Sequence, residues 1–241
     1  QSVAVRLIAD REREIHAFKP QEYWSIEAVL EKEKKEFQAV LIKKGAKAIS
    51  KITIKTQQEA DDIIQDLRGA EYKVEKVEKR ETRHNPLPPF MTSTLQQEAS
   101  KKLRFTARTT MSVAQHLYET GLITYHRTDS VRLSAAAVAA ARTVIRDSYG
   151  DKYIPTKPHF YKNRRAAQDA HEAIRPSDVE LSPGMVKEYL TEEQAQIYKM
   201  VWETFVACQM KPAIYDVRTV YVGVAGNGEK ALYRQMDKWY I

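Results

Sequence analysis

His84-Asn85-Pro86-Leu87-Pro88-Pro89-Phe90 places three prolines in seven residues. Proline fixes φ and lacks a backbone N–H, so neither a helix interior nor a central strand continues through it. This is the strongest domain boundary in the chain, and the patterns on its two sides differ. Upstream, Val3, Leu7, Ile8 and Ile15 recur at helical spacing and Pro20 ends the run. Trp24, Ile26, Ala28 and Leu30 then alternate like a strand. Residues 31–36 (EKEKKE) read as a solvated turn or strand edge, and residues 37–43 and 48–54 as further strands. Thr56 caps an expected helix whose apolar stripe is Ala60, Ile63, Ile64 and Leu67 and whose stop is Gly69. Residues 72–77 alternate again.

Downstream the pattern is helical. Thr94 and Gln97 match a capping box for a helix through Leu103, and residues 109–120 form a second helix closed by Gly121. Residues 134–149 make an alanine-rich third with Ser134 as its cap, and residues 191–210 a fourth opened by Thr191 and Gln194. After Pro212, residues 215–224 alternate like a strand, with turn glycines at Gly223, Gly226 and Gly228. The β-like tail is expected to rejoin the first unit. The fold expected is α+β: a mainly helical domain at residues 85–211 inserted into a β-containing domain at residues 20–84 and 212–241. Residues 1–19 form a leading helix.

The chain has 241 residues, 39 Lys+Arg against 32 Asp+Glu, a net charge of +7, 43% hydrophobic residues and a single cysteine. One cysteine excludes a disulfide framework or a cysteine-based zinc site and fits a reducing cytoplasm. No stretch approaches the ~18 apolar residues of a membrane span. The net positive charge fits either a polyanionic partner or a solubility feature, and its location matters more. Lys101, Lys102, Arg104, Arg108, Arg127 and Arg132 face only Glu119 and Asp129 in residues 101–132.

Inside that basic third lies GLITYHRTDS at residues 121–130. Its second half carries hydrogen-bonding side chains and nothing that builds an apolar core. Read blandly, it is a loop in which Asp129 or Ser130 caps the next helix and Tyr125 is a half-buried aromatic. Read chemically, Tyr125 is a phenol that a cation such as Arg127 activates for in-line attack on a phosphodiester. A second polar cluster, QDAHEAIRPSD at residues 168–178, carries His171 in a helix-like turn that Arg175 and Pro176 end. His171 and Glu172 do not complete a zinc HExxH motif, because position 175 is Arg. Spacing alone does not bring these residues together.

GLITYHRTDS resembles the active-site tyrosine segment of type IA DNA topoisomerases, and AHEAIRPSD at residues 170–178 resembles a second signature of that family. QSVAVRLIADREREIHAF at residues 1–18, PPFMTSTLQQEASKKL at 88–103 and FVACQM at 205–210 are similar to its bacterial branch. The resemblance implies a gate arch, with a helical tyrosine domain inserted into a hinge domain. It implies that Tyr125 takes the 5′ phosphate of the cleaved strand, Arg127 stabilises the transition state and Asp129 orients the surrounding groups. His171, Arg175 and Gln1 would contact DNA phosphate, Arg175 less directly because it also pins its loop. His126 stands where many members carry Met, which implies a tolerant, non-catalytic position. The family's toprim glutamate, lysine and DxDxE cluster have no counterpart here, so Mg²⁺ ligands are expected outside this sequence and no metal site within it. The chain is thus expected to be a central fragment, its hinge part incomplete at the C-terminus and inactive in relaxation alone. It would work with single-stranded segments of underwound DNA and the remaining domains of the enzyme, in the bacterial nucleoid. A basic helical DNA-binding module without chemistry, or a tyrosine recombinase or type IB enzyme making a 3′ linkage, are the rival readings.

Overall fold

Glu33 and Lys34 sit in the left-handed region, with φ of 52° and 64°, and turn the chain between β1 (Glu27–Lys32) and β2 (Lys35–Lys44). The computed structural model describes residues 2–162, 171–225 and 230–240. The chain divides into two compact units, one of residues 1–82 and 215–241, the other of residues 83–214.

The first unit is built on an antiparallel sheet. Besides β1 and β2 it contains β3 (Lys47–Ala48), β4 (Glu71–His84), β5 (Ala213–Ala225) and β6 (Lys230–Tyr240). Their order is β1-β2-β6-β5-β4, with β3 against β2, so the tail strand lies between strands from the two ends of the chain. Helix α1 (Ser2–Ala17) carries ion pairs from Arg6 and Arg13 to Asp10 and leaves Leu7, Ile8 and Ile15 exposed. Helix α2 (Gln57–Leu67) starts at Thr56, whose hydroxyl accepts from Glu59 N. Its buried Ala60, Ile63 and Leu67 join Ile26, Leu41 and Tyr233 in this unit's core, while Ile64 faces outward.

Residues 48–54 do not form the expected strand. Ser50 N donates to the Thr53 hydroxyl at 2.8 Å and Thr53 N to Ser50 O at 3.1 Å, a local turn that competes with a ladder. The ladder stops at the start of the run, where Ala48 pairs with Lys43 and Ile49 N donates to Ile42 O, and Ile54 forms an isolated bridge to Trp24. Gly223 lies within β5 and not in a turn; a Cβ there would collide with the Glu75 side chain. Gly226 and Gly228 fall outside the described residues.

The second unit packs around α7 (Glu192–Ala207), capped by the reciprocal Thr191–Gln194 pair. Its Ile197, Tyr198, Val201 and Phe205 share a core with α3 (Thr92–Leu103), α4 (Ala107–Glu119) and α5 (Ala135–Tyr149), capped at Met91, Thr106 and Ser134. Helix α3 therefore starts two residues before Thr94, which sits in its first turn and accepts from Met91 N at 3.0 Å. The short α6 (Pro183–Val186) leads into α7, whose Tyr198 Oη and Trp202 Nε1 donate to Leu181 O and Val179 O. Among the described residues, no helix is long and apolar enough to cross a membrane.

Candidate active site

Residues 173–177 are extended, not a helix-like turn, because their backbone groups pair with three other segments. Ile174 N donates to Phe90 O at 2.7 Å, Ala173 N to Arg132 O at 2.9 Å and Ser177 N to Leu122 O at 2.9 Å. Isolated bridges join Ile174 to Phe90 and Pro176 to Ile123, and the buried Ile123 and Ile174 anchor both segments in the core. His171 is thereby placed beside the tyrosine segment 46 positions earlier in sequence. Residues 168–170 lie outside the described part.

The tyrosine segment itself alternates. His126, Thr128 and Ser130 point inward and are buried, whereas Tyr125, Arg127 and Asp129 point outward. An inward core of polar side chains is the part that composition hides, since it looks like an unstructured loop. Thr128 and Ser130 help hold the backbone: Ser130 N donates to Thr128 Oγ1 at 3.1 Å and Arg132 N to Ser130 Oγ at 3.1 Å.

Two threonines fasten the segment on either side of Tyr125. Thr124 Oγ1 donates to Ala173 O at 2.7 Å and accepts from Arg175 N at 3.0 Å, while Thr124 N donates to Arg175 O. Thr92, the first residue of α3, donates through Oγ1 to His126 O at 2.8 Å and Thr128 O at 3.0 Å. Its hydroxyl accepts from Thr128 N at 2.9 Å, and Thr92 N donates to Thr128 O at 2.9 Å.

Arg127, Asp129 and His171 line one open cleft of about 540 Å³, joined by Thr92, Ser93, Gln96 and Thr128. Tyr125 is 42% exposed, and its ring centroid lies 6.0 Å from that of His171 and 5.3 Å, edge-on, from that of Tyr118. A phenol, a guanidinium, an imidazole and a carboxylate thus share one surface. Thr92, Ser93 and Gln96 line the cleft although PPFMTSTLQQ signals only helix capping, a signal that hides residues used sideways.

His126 does not join the cleft. It is 1% exposed, neither ring nitrogen has a hydrogen-bond partner, and its ring lies against Tyr118 and Tyr125. Burial, helped by the nearby Arg127 charge, lowers its pKa. Arg175 also lies away from the cleft, lining a separate cavity with Ser134 and Phe205. Its Nε and Nη2 donate to Glu172 Oε2 at 3.0 and 2.7 Å, and Glu172 Oε1 accepts from Ser134 N at 2.7 Å. Burial works to raise the Glu172 carboxyl, but the hydrogen bonds from Arg175 and Ser134 outweigh it and hold it below the usual range. Arg175 is therefore tied through Glu172 to Ser134, the cap of α5. Gln1 lies outside the described residues.

No group of three or more His, Cys, Asp or Glu side chains able to hold a metal occurs among the described residues. The cleft itself offers one carboxylate, Asp129, and one imidazole, His171.

Residues 1–238 match the family model described as DNA topoisomerase. The chain belongs to the bacterial type IA DNA topoisomerase family. It is 43% identical over 227 residues to DNA topoisomerase 1 of Rickettsia felis, and the same identity holds for that of Rickettsia prowazekii. Those matches cover 90% of this chain and 29% of each relative, so the chain spans about three tenths of their length. The structure is similar to full-length topoisomerase I of Thermotoga maritima, with a TM-score of 0.77 and 32% identity. That likeness covers 98% of this chain and 37% of the Thermotoga protein. The α+β architecture is thus that of the family's topoisomerase I fold.

Proposed function

We propose that this chain carries the strand-cleaving half of an ATP-independent topoisomerase that relaxes negative supercoils through a 5′-phosphotyrosyl intermediate. What supports this most is the outward alternation of Tyr125, Arg127 and Asp129, the last two lining a cleft with His171, whose ring lies 6.0 Å from that of Tyr125, in a member of this family. In the step proposed, Tyr125 Oη bonds to phosphorus, the bond from phosphorus to the 3′ oxygen breaks, and the tyrosine's proton balances the 3′ hydroxyl that leaves. Reversal reseals the strand, because the phosphotyrosyl ester keeps the energy of the bond it replaces. Arg127 grips non-bridging oxygens as charge develops, an effect typically worth ~3–4 kcal/mol. His171 contacts phosphate, Asp129 orients Arg127, and Arg175 positions the His171 segment through Glu172. Mg²⁺ would be bound by residues outside this sequence, and the 241 residues by themselves would not relax plasmid. The DNA and the other domains of a longer enzyme are the partners proposed, and the nucleoid is the proposed location.

The test is Tyr125→Phe in a longer protein that includes this chain, assayed for covalent capture of 5′-labelled and 3′-labelled single strands. Covalent retention of the 3′ label by wild type, because the fragment whose new 5′ end is linked to Tyr125 carries it, and of neither label by the variant, with binding retained, is expected. Normal capture by the variant removes Tyr125 from the mechanism. Retention of the 5′ label instead, which marks a 3′ linkage, favours a type IB-like reaction, and binding without any adduct leaves a non-catalytic module.

A further inference from the structure

Phe160 is 72% exposed, yet the residues on either side of it are held, His159 by its backbone and Tyr161 by its hydroxyl. Gln209, fully buried, accepts from His159 N through Oε1 at 3.2 Å and donates from Nε2 to His159 O at 2.9 Å. The His159 Nε2 atom lies 3.0 Å from Met210 O, and Tyr161 Oη donates to Cys208 O at 2.8 Å. A buried amide satisfied at both ends fixes a segment rigidly, since leaving either end unpaired would be costly. The residues just past α7 therefore clamp residues 159–161 while the aromatic ring between the clamped residues faces out. A lone exposed aromatic is ordinary, but a rigidly mounted one lining a cavity is a preformed platform.

That cavity, of about 240 Å³, is lined by Arg132, Leu133, His159, Phe160 and Tyr161. Its size suits one planar ring better than a larger ligand, for which pockets start at roughly 300 Å³. Lys157 and Lys162, both exposed, flank the platform in sequence. Residues 171–173 tie the cavity to the tyrosine cleft: Ala173 N donates to Arg132 O, Ala173 O accepts from Thr124, and His171 lines the cleft.

We propose that Phe160 is a stacking platform for one unpaired base of the DNA strand, a binding site beyond the cleft of Arg127 and His171. Stacking on an aromatic face tolerates any base, while the flanking lysines follow the phosphates, the usual division of labour in single-strand binding. This rests on the reading of the chain as one that acts on DNA.

The experiment measures binding of the full 241-residue chain, at low salt, to a fluorescent oligo(dT) and to a matched strand whose central sugars lack bases. Phe160→Ala is expected to weaken oligo(dT) binding about fivefold to a hundredfold, to leave the salt dependence unchanged and not to alter abasic binding. Phe160→Trp should bind like wild type, and Phe160→Leu like the alanine variant. Equal losses on both strands, a changed salt slope, full affinity with Leu, or no binding by the wild-type chain would each overturn the proposal. The readout does not involve covalent capture, so loss of the base-dependent difference refutes this site even where Tyr125 captures DNA normally.

Discussion

Thr92 makes a sharp test of how the site is held, because one hydroxyl serves both sides of the turn that presents Arg127. In Thr92→Val the shape stays and the hydroxyl goes. His126 O loses its donor, and Thr128 N loses its acceptor, whereas Thr128 O keeps the bond from Thr92 N. His126 and Thr128 are both buried, so two backbone groups are orphaned at ~1–3 kcal/mol each before relaxation. Thr92 itself is only half-buried, so water reaches part of the gap and a net loss of about 2 kcal/mol is expected. Arg127 lies between the two orphaned groups, so that energy is lost from the geometry of the cleft. If all of it appears in the barrier, cleavage slows roughly thirtyfold. The assay is single-turnover formation of the covalent adduct by a longer protein containing this chain, with binding measured separately on uncleaved DNA. Binding should change less than about threefold, since no phosphate contact is removed. The melting temperature should fall by about 4–8 °C, and Thr92→Ser should restore both rate and stability. Stability lost as expected with cleavage within about twofold of wild type would show that the turn does not set the reactive geometry. An equal loss of binding and cleavage would make Thr92 a contact residue.

His126→Met should raise the melting temperature at neutral pH by roughly 2–6 °C, because it removes two buried nitrogens without partners, at a gain of about 1–2 kcal/mol. The folded pKa of His126 is lowered, so between it and the unfolded value of about 6.5 the unfolded chain binds more protons. Stability is therefore full above that unfolded value and declines as pH falls through it; Met should flatten this slope in thermal melts, and a lower melting temperature or an unchanged slope would refute the account. In the first unit, Glu33→Asn with Lys34→Gly relieves two left-handed residues in a two-residue hairpin and should stabilise the chain by about 1 kcal/mol in denaturant titration. Destabilisation there would mean that the side chains of Glu33 and Lys34 matter more than their backbone.

Local chemistry was the most legible part of the sequence. Thr56, Ser134 and Thr191 cap the helices their spacing implied, since a cap involves only a few neighbouring residues. Reading failed where a competing interaction came from nearby polar side chains or from far along the chain. The Ser50–Thr53 turn removed a strand that apolar alternation predicted. Residues 173–177 became extended because Phe90, Leu122, Thr124 and Arg132 supply backbone partners that no helix would leave available. The place of β6 between β2 and β5 is set by pairing across nearly 200 positions, for example Val40 with Arg234, which no local window contains.

The tyrosine segment shows why hydrophobic periodicity fails at a site. Its alternation is as strict as that of a half-buried strand, but the inward positions are His126, Thr128 and Ser130 instead of valines. Polar side chains are needed inside because the segment lies in no regular ladder, so its backbone must be satisfied one group at a time. Thr92, Thr124, Thr128 and Ser130 do this with short hydroxyls, which leave the neighbouring outward positions free of structural duty. Tyr125, Arg127 and Asp129 occupy those positions, exposed and rigidly mounted. The same logic holds at Phe160, where a buried amide does the fastening and an aromatic ring is left outside. In both places the informative feature is the polar group buried beside the exposed one, because its burial is costly unless the position of its neighbour matters.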